Sequence, residues 1–585
     1  MRNLLPSSSP WWLPYLIVTA AALGIYINSL GGGFVWDDRQ LVLRQPEVRS
    51  LASIPEFFTS PLFTGEDGAA YYRPVVTTTL AIDHAVGGSG QPWVFHLTNL
   101  LIYAACCAAV CALFRRLVGV GLASLGGALL FAAHAVHSES VAWISGRSDI
   151  LAALFMTLAL LAALRREDSS GGGWLPRRFA LPAAGVCTLL ALLSKEVAFV
   201  LPVLWVLLWL RRPTALRRRL LWPLAAVGAG TVAYLLLRWS ALSGVSTGMS
   251  VRRIAPWTPS GLATVARCVL RYSGKLIMPL RLSADFELQP FASALSPGAL
   301  ASLAGGAVLL ALTGLLAWND REMGAALAWV WVALAPVLHF IPIAETTAER
   351  FLFVPSIGFC LLAAYAVRRA RSGGGTSAAG PVAAVALLAL ALGHGLRVIE
   401  RNPDWHSDRS IAVSSVLTAP ETPRSHLAMG MVYENEGSLA RARQRYLRFL
   451  RLAPSSWSGR VRLGTVNLEM GRYREALVHL LQASPAEAGD PALMARVARC
   501  YIRLARERDS QGAWDRAHRW ARRAAESGPE VASAQHALAR TLRQRGKYRE
   551  ALRRARKALR MKPGPEVRRL VSKLEQELTR DSNDH

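Results

Sequence analysis

Trp12–Leu43 reads WLPYLIVTAAALGIYINSLGGGFVWDDRQLVL. Its first nineteen residues carry no charged side chain, a run long enough to cross a hydrocarbon core of about 30 Å. Three glycines later two carboxylates, Asp37 and Asp38, fall side by side at what this reading makes a membrane surface. One explanation is an acidic loop in water. The other is a carboxylate held at the bilayer face as a base. The rest of the chain decides between them.

Working outward, similar apolar runs lie near 95–114, 118–134, 150–164, 179–193, 197–210, 220–237, 299–317, 323–341, 351–367 and 381–397. With the first they predict about eleven spans and an all-α membrane domain over 1–397. The first run is too long for a signal peptide and lacks a small-residue cleavage site, so it is expected to stay in the mature protein. Arg115 and Arg116, the stretch from Arg165 to Arg178, RRPTALRRR from Arg211, and Arg368 to Arg371 all fall on one side of this count. Arginine collects in cytoplasmic loops, which makes that side cytoplasmic. The segment 261–282 carries Arg267, Arg271 and Lys275 at helical spacing and reads as an interfacial helix rather than a span.

Hydrophobic residues make up 52% of the 585, yet the formal net charge is +28. Nucleic acid is a poor explanation for that charge, because many of the arginines fall in short loops between apolar runs. Five of the seven cysteines (Cys106, Cys107, Cys111, Cys187 and Cys360) lie inside apolar runs, with no metal-ligand spacing and no disulfide framework. No Asn-x-Ser/Thr sequon occurs, and arginine far outnumbers lysine. The expected location is a bacterial inner membrane, or the endoplasmic reticulum membrane if the source is eukaryotic.

The opposite, external side receives the first loop, 31–94, HAVHSESVAWISGRSD from His134 and AETTAER from Ala344. There the polar residues gather: Asp37, Asp38, Arg73, His134, His137, Glu139, Arg147, Asp149, Lys195, Glu196, Glu345, Glu349 and Arg350. Ionisable groups at span ends face a cavity, pair or snorkel, so convergence from distant loops makes a site hypothesis. Taken singly, each reads as an ordinary helix anchor.

Beyond 398–424, expected to connect or cap, the chain repeats over 425–580. GSLARA begins at Gly437, GRYREA at Gly471, GAWDRA at Gly512 and GKYREA at Gly546, spaced 34, 41 and 34. A 34-residue period is the tetratricopeptide length. Each glycine is expected to close a first helix, and Pro454, Pro529 and Pro563 to follow the second, with Pro485 three residues early. Such solenoids bind proteins or peptides and carry no chemistry. With eleven spans they lie on the external side.

FVWDD at Phe34, YYRPV at Tyr71, FHLTNLLIY at Phe95, HAVHSESVAWISGRSDILAALF at His134, LLSKEVAFVLP at Leu192 and AERFLFVPSIGFCLL at Ala348 together resemble the transmembrane and tetratricopeptide-repeat O-mannosyltransferases and their bacterial relatives. The resemblance implies a glycosyltransferase-C fold and a polyprenyl-phosphate sugar, mannose by analogy, as donor. It matches Asp37 and Asp38 to an acidic residue of the first external loop. A positioned carboxylate would take the proton from a hydroxyl of a protein or glycan acceptor, in an inverting transfer. Arg73, Arg147, Lys195 and Arg350 would face the leaving phosphate, with His134 and His137 orienting or hydrogen-bonding it, and Glu139, Asp149, Glu196 and Glu349 completing the site. No cofactor is required by these residues, and a carboxylate-bound divalent cation stays open. Protein partners for the repeats are expected, nucleic acid is not. The rival readings are a non-enzymatic membrane scaffold and a lipid-linked glycan transporter, which would show ionisable groups at mid-span and paired broken helices.

Overall fold

The structure, a computed structural model, describes residues 10–61, 63–64, 70–88, 90–166, 175–210, 221–243, 255–284, 288–340, 347–372, 378–483 and 489–583. Glu345, Pro485 and the RRPTALRRR stretch lie outside the described residues. The chain separates into two compact units, Met1–Thr418 and Ala419–His585. Among the described residues both are helical, apart from a two-residue antiparallel pairing of Phe63–Thr64 with Ala70–Tyr71.

In the first unit all eleven apolar runs are helices. Eight are long and apolar enough to cross a membrane. The other three, Leu122–Ala133, Leu201–Leu210 and Arg321–Leu334, have 12, 10 and 14 residues. Hydropathy finds such helices because a backbone without water must satisfy its own hydrogen bonds. It does not say which are central. Of the most apolar stretch within Ile144–Arg165, 83% is buried against other helices, against 11% for Pro297–Asn319. Pro92–Val118 and Phe353–Ser372 join the former at the centre, and Pro297–Asn319 and Leu221–Leu242 lie at the rim. Small residues permit the closest approaches. A Cβ on Gly127 would come within 2.8 Å of Ala364 Cβ and 3.0 Å of the Cys360 carbonyl, where helix Leu122–Ala133 meets Phe353–Ser372.

The basic segment at 261–282 forms helix Pro259–Ile277, capped by Thr258, whose Oγ accepts the Gly261 N–H at 3.1 Å. It is not among the helices apolar enough to span. Ala263, Thr264, Cys268, Tyr272 and Leu276 form its buried face. Arg267 stacks over the Phe291 ring at 3.9 Å, while Lys275 turns inward to Glu349.

The second unit is a run of helix pairs beginning with Pro423–Asn435 and Leu439–Leu452 and ending with the single helix Pro565–Asn583. Gly437, Gly471 and Gly546 take φ of +74°, +78° and +74° between paired helices, the left-handed turn glycine reaches at least cost. The third pair differs. Its first helix, Pro491–Arg508, has 18 residues where the equivalent helices have 13, and Asp509 makes the turn at φ +43°. Gly512 therefore sits in the first turn of helix Gln511–Ser527 and closes nothing, which corrects the expected role and accounts for the spacing of 41. Ala442, Ala476, Ala517 and Ala551 are buried as close-contact positions, and helices end two residues before Pro454, Pro529 and Pro563.

Helix Pro423–Asn435 meets Leu439–Leu452 where Gly430 lies against Tyr446, whose hydroxyl donates to Glu434. A branched side chain at Gly430 would overlap the Tyr446 ring. Gly430→Val is expected to destabilise the repeat unit by about 1–3 kcal/mol. Tryptic cutting within 423–452 should then begin at lower urea than in the native chain, and an unchanged onset would contradict this helix contact.

Candidate functional site

The loop after the first helix is tied from both sides. Past the turn Ile27–Gly31, Gly32 packs against His96 so closely that a Cβ there would lie 2.8 Å from the ring Nε2. The Gly33 N–H donates to the His406 carbonyl at 2.9 Å, and His406 Nε2 lies 3.0 Å from the Asn28 carbonyl. Trp36 then adopts φ +48°, an outlier for a bulky side chain. Its N–H donates to Asp408 Oδ1 at 3.1 Å, and Asp408 pairs with Arg39 at 2.8 Å. This conformation sends the two aspartates to opposite sides. Asp37 is exposed. Asp38 is fully buried, accepting the Val35 N–H at 3.1 Å and the Ser145 N–H and Oγ–H at 2.9 and 2.5 Å. Burial pushes the Asp38 carboxyl up to about 7, against the pull of the hydrogen bonds from Ser145 and Val35.

Beside Asp37 stand three tryptophans. Trp36 meets Trp143 and Trp405 edge to face, with centroids at 5.7 and 5.5 Å, and the latter two stack at 6.0 Å. Arg350 lies over the Trp143 ring at 5.5 Å. The rings thus join the aspartate loop to a group of cations.

That group is held at helix ends. Arg73, just before helix Pro74–Gly87, pairs with Glu196 at 2.9 Å, and Glu196 also holds Arg238 at 3.4 Å. Lys195, immediately after helix Arg177–Ser194, places Nζ 2.7 Å from both oxygens of Asp149. Asp149 lies in the first turn of helix Arg147–Arg166, where the helix dipole favours a carboxylate. Lys195 also feels the charges of Arg73 and Arg350. Arg350 pairs with Glu139, which accepts the Arg350 N–H at 2.9 Å as well. The acids Glu139 and Asp149 are buried, whereas Arg73, Lys195 and Arg350 keep 13–19% of their side chains accessible. Lys195 and Arg350 therefore stay reachable over buried acids, whereas Arg73 shares the surface with its partner Glu196, which is 32% accessible. Such a surface suits a phosphate or another compact anion.

Other sequence candidates lie deeper. Arg147 is fully buried, 2.5 Å from Asp83 and donating to Asn99 Oδ1 at 2.6 Å and the Phe95 carbonyl at 2.8 Å. His137 sits between Tyr103 Oη at 2.9 Å and Ser356 Oγ at 2.7 Å. His134 lies 3.0 Å from the Leu276 carbonyl. Glu349 is buried, with Lys275 at 2.5 Å and the Ser283 N–H at 2.7 Å. These four are engaged by the protein itself and do not join the accessible cations.

The sequence reading missed the stretch NPDWHSD, Asn402–Asp408. By position it reads as a connector or repeat cap, yet it supplies Trp405, His406 and Asp408 to the aspartate loop. A tryptophan, a histidine and two acids crowded directly after the last apolar run were the available signal.

Residues 490–563 match a family model described as tetratricopeptide repeat. Over most of the chain the curated relatives are protein O-mannosyl-transferases. The chain is 25% identical to Tmtc3 of Drosophila melanogaster over 80% of its own length and 58% of that protein. It is 24% identical to TMTC4 of Mus musculus over 76% and 67%, and 34% identical to Drosophila Tmtc2 over 31% and 20%. The chain thus spans little more than half the length of the first of these. A solved thermophilic tetratricopeptide-repeat protein of Thermus thermophilus, 17% identical, covers 27% of this chain and 83% of its own with a TM-score of 0.25. With its apolar helices, the chain is a multi-pass membrane protein carrying tetratricopeptide repeats.

Two stability measurements test this geometry. Arg147→Met leaves Asp83 without its partner and should destabilise the membrane unit by about 3–5 kcal/mol, with much of the loss restored in Asp83→Asn/Arg147→Met. Full activity and stability in Arg147→Met would refute the buried pairing. For Asp38, the folded protein holds the proton more tightly than the unfolded chain, so its contribution is present below pH 4 and lost as pH rises through about 7. The stability of the native protein relative to Asp38→Asn should fall by about 4 kcal/mol across that window and level off above it. A flat difference would place Asp38 in water.

Proposed function

We propose that this chain is a membrane glycosyltransferase that moves a sugar, mannose by analogy with its relatives, from a polyprenyl phosphate to a hydroxyl of a protein or glycan acceptor. Transfer takes place at the external membrane face, that of a bacterial inner membrane. The observation that carries the reading is the exposed carboxylate of Asp37 on an immobilised loop, joined through Trp36, Trp143 and Arg350 to the accessible cations Arg73 and Lys195.

In this scheme Asp37 is the base. It takes the acceptor proton as the hydroxyl oxygen attacks the anomeric carbon. The bond from that carbon to the phosphate oxygen breaks, and the lipid phosphate leaves with the electron pair, its charge met by Arg73, Lys195 and Arg350. A single displacement inverts the anomeric centre. Asp38, buried and holding three hydrogen bonds, is a positioning residue that anchors the loop. The partly buried Trp36 indole, packed against Trp143 and Trp405, keeps the loop in register with the cations. His134, His137, Arg147 and Glu349 support the fold behind the site, and Glu139, Asp149 and Glu196 fix the cations. The printed names of the curated relatives support the reaction class.

The test is release of polyprenyl phosphate from polyprenyl-phosphate mannose by the detergent-purified chain. Asp37→Asn should lower turnover by about 10²–10⁴-fold with unfolding unchanged. Asp38→Asn should lower turnover by loosening the hydrogen bonds that anchor the loop, with its stability relative to the native chain following the pH dependence given above. Lys195→Met should raise the donor KM. Equal turnover in the native chain and Asp37→Asn removes Asp37 as the base. Tight donor binding without turnover under any acceptor favours a scaffold that holds the lipid.

A further inference from the structure

The repeat unit contains arginines that its own carboxylates leave unanswered. Several basic side chains there are ion-paired, Arg443 with Glu475 at 2.8 Å, Arg543 with Glu577 at 2.5 Å, Arg545 with Asp515 at 2.7 Å and Arg556 with Glu575 at 2.8 Å, and most of the others are exposed to solvent. Arg499, Arg503 and Arg540 have no hydrogen bond or ion pair among the described residues, although all three are partly buried. Arg496, Arg499 and Arg503 follow the spacing i, i+3, i+7, one stripe of helix Pro491–Arg508. Arg540 of helix Ala532–Gln544 lies within electrostatic reach of Arg499 and Arg503, and Arg462 of helix Trp457–Glu469 within reach of Arg496. The nearby acids, Glu434, Asp490 and Glu566, are fewer than the arginines. Burial and the neighbouring guanidinium groups, only partly offset by Glu566, pull Arg540 down to about 10, so it stays charged at neutral pH.

The stripe lies on the inner side of the solenoid. Pro491–Arg508 packs against the next first helix, Ala532–Gln544, and touches the preceding one, Trp457–Glu469, while second helices of successive pairs do not pack comparably. The tighter-spaced row is the concave one.

We propose that this row of arginines is a binding groove for an extended acidic segment of a partner polypeptide. Adjacent packed helices are about 8–10 Å apart, so three first helices span roughly 20 Å. An extended chain rises about 3.3 Å per residue, and about six residues cross the groove. Carboxylates at every second residue, all on one face of the extended segment, would run along the row of guanidinium groups. A concave row of partly buried guanidinium groups admits an extended chain, whereas a flat bilayer surface cannot follow it. This adds a partner class to the repeats and stands whether or not the membrane unit transfers sugar.

The test uses the full chain in neutral detergent and a fluorescein-labelled dodecapeptide alternating Glu and Ser, followed by anisotropy, with a Gln-for-Glu counterpart. The Glu peptide should bind, more weakly as salt rises, and the Gln peptide should not. Arg499→Glu/Arg503→Glu/Arg540→Glu should weaken binding at least about tenfold, a difference of about 1.4 kcal/mol. The milder Arg499→Gln/Arg503→Gln should show the same direction with unchanged helical circular dichroism. Reversal on the outer helix Tyr548–Met561, Arg553→Glu/Arg556→Glu, removes the same sign of charge and should leave affinity unchanged. Equal binding of both peptides, or equal loss from the outer reversal, overturns the proposal. So does an absence of peptide binding, including the case in which short-chain phosphatidylglycerol binds the same arginines instead.

Discussion

A charge that has left water must meet its counter-charge inside the protein, and the membrane unit is organised by that requirement. Arg147 meets Asp83, Lys195 meets Asp149, Arg350 meets Glu139 and Lys275 meets Glu349. Each pair joins elements far apart in sequence, so each acts as a tie between helices that apolar packing alone would leave free to slide in lipid. The pairs differ in how far the cation remains reachable. Where the guanidinium is sealed, as in Arg147, the pair is architecture. Where the cation stays partly wet above a buried acid, as in Lys195 and Arg350, it remains available to an incoming anion.

The aspartate loop shows a second constraint, conformational rather than electrostatic. Adjacent residues in ordinary extended or helical backbone often share a fate only by accident of register. Here the left-handed turn at Trp36 sorts Asp37 outward and Asp38 inward, and the Asp408 carboxylate holds that turn from the far end of the unit. A strained backbone at such a place points to selection for position rather than for stability.

What was legible in the sequence follows from the range of the forces involved. Spans were legible because hydropathy is local: every apolar run is a helix, including the short Leu201–Leu210. The repeat was legible because a packing unit recurs along the chain, and among the described residues it fails at Gly512, where a lengthened helix moves the turn to Asp509 without breaking the alanine pattern. Gathering polar residues on one face yields a list of candidates and no ranking among them. It could not separate Arg73 from Arg147, since both are arginines near a span end, and only their partners in three dimensions distinguish them. Nor could it attach Trp405, His406 and Asp408 to a loop more than 360 residues earlier, because no local pattern encodes that pairing.

The sealed pair of Arg147 and Asp83 also constrains how such a sequence can drift. Two apolar side chains of similar volume could fill the same space at little loss, yet either single replacement strands a lone ion in the interior. Both neutral forms are therefore separated by a valley that one substitution at a time must cross. The pair behaves as a ratchet: once installed it is kept by the cost of leaving it rather than by what it contributes, and positions 83 and 147 are bound to change together or not at all.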